Sequence, residues 1–277
     1  MPTPALRPLS TGELLDRTFL LYRSHFPLFV GIIAVTHLVI LAVQLVGIAI
    51  LPKPAGPLDL GATLLWLPVT LLTMLAVTAA SQGATVVAVS HVYLDRPVTV
   101  VDALSHIRGR IVSLAITMIV IGLGVALGLI LLIVPGIILS LMWAVAIPVA
   151  VLEERSMLDA ASRSADLTKG DRGRVAVIYV LFVVLVWIVS MVVNVPIGII
   201  GFLYSGGDMT AVNAWVQVAS AVGSFLTQCL VGPLMTIAFS LLYYDERVRK
   251  EAFDLELMMS AIDGRPADGA PAPFTGA

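Results

Sequence analysis

The four histidines, His25, His37, His91 and His106, are the side chains best suited to move a proton near neutral pH, and none stands beside a pair of carboxylates. A metal-assisted hydrolase needs such a pair. The chain also has no HExxH run, no paired cysteines and no Gly-Lys-Ser/Thr nucleotide loop. Its single cysteine, Cys229, lies in an apolar run and cannot form an intramolecular disulfide. Gly122, Gly124 and Gly128 occupy another apolar run, where close helix packing explains them better than phosphate binding. The residue types therefore point away from catalysis, and they imply no cofactor.

Three other sets of residues remain. His37, Gln44, Ser81, Gln82, Asn194, Gln217 and Gln228 are polar groups inside long apolar runs. In hydrocarbon such groups are costly unless they face the protein interior, so the reading is either hydrogen bonding between helices or a polar cavity for a lipid headgroup or small solute. Pro196 with Gly198, and Gly232 with Pro233, mark expected helix breaks that would favour the cavity. No charged residue lies mid-run, which argues against ion-coupled transport. Arg108, Arg110, Arg163, Lys169, Arg172 and Arg174 form a basic collar suited to anionic lipid or phosphate. Arg247, Arg249 and Lys250 sit on an expected charged helix from Tyr243 to Ile262, whose apolar stripe Val248, Ala252, Leu255, Met259 and Ile262 suits packing under the bundle or a partner protein.

The elements that must position these groups follow from composition. At 59% hydrophobic and 12% charged residues, with mean hydropathy +1.02, the chain is suited to lipid rather than water. A net charge of -2 is too small to argue for nucleic acid, and none is expected as a partner. Uncharged runs predict six spans, roughly Pro27–Leu51, Leu64–Tyr93, Ile111–Ile133, Gly136–Leu152, Val175–Leu203 and Ala211–Tyr243. The stretch between Arg110 and Glu153 holds two of them, since as one helix it would run about 60 Å, twice the hydrocarbon thickness. The expected turn is Val134-Pro135-Gly136.

Of 16 basic residues, only Lys53 lies in a loop after an odd-numbered span. Both termini are therefore expected in the cytoplasm, with short outer loops around Asp59 and Asp208. Ser10–Glu13, Thr99–Asp102 and Ser156–Asp159 each fit a capping box, and each stands before an expected hairpin. The reading is all-α: six transmembrane helices as three hairpins, each preceded by an amphipathic cytoplasmic helix in the headgroup layer. Residues 1–262 form one integral-membrane domain, and residues 263–277 a disordered cytoplasmic tail rich in Gly, Pro and Ala.

Four segments in order, PLSTGELLDRTFLLYRSHFPLF, PGIILSLMWAVAIPVAVLEE, SMLDAASRSADLTKGDRGRV and YYDERVRKEAFDLE, resemble the bacterial family named for the membrane domain of glycerophosphoryl diester phosphodiesterases. The resemblance implies a multipass protein of the bacterial plasma membrane; the chain has no catalytic barrel like the one that such a region precedes in those enzymes. The function expected is a membrane scaffold or accessory subunit that contacts lipid and a cytoplasmic or membrane protein. A lipid or small-solute permease is the alternative, and a lipid-directed enzyme the third reading.

Overall fold

The computed structural model describes residues 8–51, 61–205 and 214–251, and every regular element in them is helical. Six helices are long and apolar enough to cross a membrane, so by length and composition this is a multipass membrane protein. Helix α1 (Thr11–Ser24) leads into α2 (Phe26–Ile50), which packs on α3 (Gly61–Tyr93). The short α4 (Val100–Ile107) and a 3-10 turn (Arg108–Arg110) precede α5 (Ile111–Leu131), which packs on α6 (Ile133–Met142) and is followed by α7 (Ala146–Leu152). A third short helix, α8 (Met157–Thr168), precedes α9 (Arg172–Tyr204) and α10 (Ala214–Glu251), which pack together.

The short helices start where their hydroxyl-acid patterns place them. Ser10 Oγ accepts from Glu13 N at 3.3 Å while the Glu13 carboxylate accepts from Ser10 N at 2.8 Å. Thr99 and Asp102 exchange the same bonds at 3.2 and 3.0 Å. The third pattern closes differently, because the Ser156 hydroxyl donates to the Asp159 carboxylate at 2.6 Å and makes no bond to the backbone. The orphan N–H groups of α8 lose that partner.

The turn expected at Val134-Pro135-Gly136 lies earlier in the chain. Leu132, with φ -157° and ψ 129°, separates α5 from α6, and Pro135 falls in the first turn of α6. There an N–H has no intrahelical acceptor, so proline's missing donor costs little. Pro148 repeats the arrangement in the first turn of α7, after a break at Trp143–Val145 that the sequence reading did not foresee. Conversely, α9 and α10 run unbroken through Pro196 and Pro233, where breaks were expected. A membrane helix tolerates such a proline when its neighbours compensate the lost bond.

Helix α8 supports the break. Its Ala160, Ser164, Leu167 and Thr168 are buried, and the Ser164 and Thr168 hydroxyls donate to the Met142 carbonyl at 2.8 and 3.2 Å. The usual intrahelical donor, Ala146 N, goes instead to Trp143 O at 3.1 Å. Replacing Ser164 with Ala and Thr168 with Val together should leave that carbonyl unpaired, a penalty of about 1–3 kcal/mol. Hydrogen exchange across α7 should then quicken; unchanged protection would show that the break holds without α8.

Packing is concentrated at one end. Phe29 and Ile32 at the start of α2, Ala84–Val89 of α3, Val175 and Phe182 of α9, and Ile237–Tyr244 of α10 are all in one buried core, together with residues of α1, α4, α7 and α8. This is the end where the basic residues lie. At the other end Leu65, Ile130, Val134 and Tyr204 are exposed, which suits apolar side chains solvated by lipid tails.

Candidate functional site

The last turns of α10 read Tyr-Tyr-Asp-Glu-Arg-Val-Arg-Lys-Glu from Tyr243 to Glu251. Three pairs there have i, i+4 spacing: Asp245–Arg249 at 2.8 Å, Glu246–Lys250 at 3.4 Å and Arg247–Glu251 at 3.1 Å. On a solvated helix such pairs contribute little. Here Tyr243, Tyr244, Asp245, Glu246 and Arg247 are buried, with at most 5% of each residue exposed. Burial changes their energetic weight.

Several parts of the chain close on this turn. The Asp245 carboxylate accepts from Leu9 N at 2.6 Å and pairs with Arg174 at the start of α9, while Arg249 donates to Leu9 O. The N-terminal segment is thereby pinned to the end of the last helix. Glu153, just after α7, accepts from the Tyr243 hydroxyl at 3.0 Å and from Arg163 of α8 at 3.3 Å, and Arg163 also reaches Glu251 at 2.5 Å. Lys250 donates to the carbonyls of Leu167 and, at 2.7 Å, Lys169, which are among the last of α8 and its exit. Burial acts to lower the proton affinity of Arg163, but Glu153 and Glu251 outweigh it and hold the guanidinium above its usual range. Tyr93 of α3 stacks on Tyr244 at 5.3 Å between centroids and meets Arg17 of α1 at 3.4 Å through its hydroxyl. The result is an ionic clamp that joins the N-terminal segment, α7, α8 and α9 to α10.

No protein-family model, curated protein or solved structure matches the chain. Asp245, Glu153 and Glu251 meet cations, a hydroxyl and a backbone N–H, so the arrangement holds helices together. Among the described residues no group of three His, Cys, Asp or Glu is placed to hold a metal.

The structure brings together Arg163, Arg174, Arg247, Arg249 and Lys250, which the sequence assigns partly to a lipid collar and partly to a partner helix. That division does not hold in space. Arg247, Arg249 and Lys250 are engaged within the chain, so reversing their charges would break the clamp as well as any docking. The remainder of that expected helix, from residue 252 on, and the tail lie outside the described residues. Arg110 pairs with Glu154 at 2.5 Å, whereas Arg108 and Lys169 are exposed.

The polar residues in the spans do not converge. His37 turns back to Ile33 O on its own helix at 3.2 Å, Asn194 donates to Ser190 O at 2.9 Å and Ser81 to Thr78 O at 3.1 Å. Gln44 and Gln82 are half-buried, and Gln217 and Gln228 are exposed rather than turned inward. Among the described residues no hydrogen bond joins any two of these groups.

Sequence reasoning missed Glu153, Tyr243, Asp245 and Glu246. The three i, i+4 pairs were legible, but they look the same on a solvated helix. Only contacts from positions 9, 153, 163 and 174 mark this one as buried.

Proposed function

We propose that this protein is a non-enzymatic scaffold or accessory subunit of the bacterial plasma membrane. Its six helices cross as three hairpins, each preceded by a short amphipathic helix, with both termini in the cytoplasm. The clamp carries this reading: it ties the N-terminal segment, α7, α8 and α9 to the charged turns of α10 and so makes the basic end a fixed platform. The outer loops are too short to recruit a protein domain. The resemblance to the membrane region of glycerophosphoryl diester phosphodiesterases fits the same role.

Photo-crosslinking in intact cells tests it. Val101 of α4 and Leu158 of α8 are 73% and 65% exposed at the basic end, and Ile130 is 80% exposed near the α5–α6 turn. A reactive residue at Val101 or Leu158 should yield protein adducts, and one at Ile130 lipid alone. Lipid adducts at all three positions would reject a scaffold. Loss of the cellular phenotype on replacing Asn194 and Gln228 with Leu, with crosslinking unchanged, would instead move the reading to a permease.

Orientation has its own prediction. In a chain with Cys229 replaced by Ala, cysteines at Arg108 and Arg155 should resist an impermeant thiol reagent applied to whole cells, and cysteines at Asp59 and Asp208 should react. The reverse pattern would invert the topology. Cysteine at Arg247 is a poor probe, because that side chain is buried.

A further inference from the structure

Arg-Gly-Arg occurs twice, as Arg108–Arg110 before α5 and as Arg172–Arg174 at the start of α9. In each copy the second arginine is tied to an acid, Arg110 to Glu154 and Arg174 to Asp245. The first arginine has no partner among the described residues. A Cβ built on the intervening Gly109 or Gly173 meets nothing within 4 Å, so the space beside both is open.

The copy at α9 carries a further observation. Arg172 Nε and Arg174 Nε and Nη2 are buried with no hydrogen-bond acceptor, although the Arg174 side chain is only 10% exposed. Buried N–H groups on a cation are costly without an acceptor and call for an anion. The cap residue of α9, Asp171, makes no side-chain cap bond, so the first backbone N–H groups of that helix also lack this partner. Asp245 and Glu246 hold the inner side of Arg174, at Nη1. The open approach is past Arg172 and Gly173.

We propose that the start of α9 is a phosphate-binding site for the headgroup of an anionic phospholipid, with Arg172 as the first contact and Arg174 behind it. Phosphate suits the site because guanidinium nitrogens and helix N–H groups bind its oxygens together. Lipid is favoured over free phosphate by what lies along the helix. Ala176, Val177, Val180, Leu181 and Val184 form an open apolar face of α9, and Ala176 stands one turn beyond Arg172. An acyl chain lying along that face would place its phosphate beside the arginine. The inference does not depend on the scaffold reading.

Native mass spectrometry of the full chain in detergent, with phosphatidylglycerol or phosphatidylcholine added, tests it. The protein should retain phosphatidylglycerol and release phosphatidylcholine, and Arg172→Gln should lower phosphatidylglycerol retention about fivefold, the effect of one basic residue at a lipid surface. Arg172→Lys should keep part of the retention, and Arg23→Gln all of it. Equal retention by Arg172→Gln and the parent protein, or equal retention of the two lipids, would overturn the proposal. Displacement of phosphatidylglycerol by millimolar inorganic phosphate would overturn the lipid assignment and give the site to soluble phosphate. Should Arg172→Gln fail to fold, Arg172→Lys decides: a reduced preference for the anionic lipid supports the site, and parental preference refutes it.

Discussion

Asp245→Ala is expected to be among the most destabilising single substitutions in this chain. The Asp245 side chain is 1% exposed and receives Arg174, Arg249 and the backbone N–H of Leu9. Removing it leaves Arg249 without its acid and the nine-tenths buried Arg174 with Glu246 alone, at 3.6 Å, and breaking a buried pair from one side costs about 3–5 kcal/mol. The melting temperature in detergent should fall accordingly, and the segment before α1 should become accessible to protease because its anchor on α10 is gone. A midpoint equal to that of the parent protein would show that the clamp contributes nothing to stability. Adding Arg174→Met to Asp245→Ala should recover part of the loss, since the uncompensated charge is then removed as well. No recovery would place the damage in the loss of the Leu9 contact instead.

Gly128→Leu is expected to force α5 and α6 apart. A Cβ at residue 128 would lie 2.9 Å from the Gly136 Cα and 3.0 Å from Leu139 Cδ1, so the first obstruction is backbone and cannot rotate away. Overpacking costs about 1–3 kcal/mol in soluble cores, and two backbones in contact leave little room for relaxation. Gly122→Leu is the control, because a Cβ there meets nothing within 4 Å. Thermal unfolding should separate the two variants clearly. Equal midpoints would remove the argument that small residues let these helices approach.

The glycines at 124 and 128 show how far local pattern reaches. Small residues in an apolar run were enough to indicate close packing, and both do meet the following segment, Gly124 under the Trp143 ring and Gly128 against Gly136. The exact turn was not legible, because Pro135 reads equally as a turn or as the first turn of a helix, and its neighbours decide which. The break at Trp143–Val145 was hidden for a related reason: the hydroxyls that accommodate it, on Ser164 and Thr168, come from another helix.

What the sequence determined by itself is what depends on neighbours along the chain. Six apolar runs set six helices long enough for a bilayer, since their length and lack of charge settle which solvent they tolerate. Ser10 and Thr99 set where the first two short helices begin, since a cap is made within three residues, and Ser156 stands at the start of the third without a side-chain cap bond. The tertiary structure alone decided that Gln217 and Gln228 stay exposed while the charged end of α10 is buried. The electrostatic weight of Asp245 or Arg247 depends on how much water remains beside it. That is governed by Leu9, Glu153, Arg163 and Arg174, residues distant in the chain that only folding brings within hydrogen-bond reach.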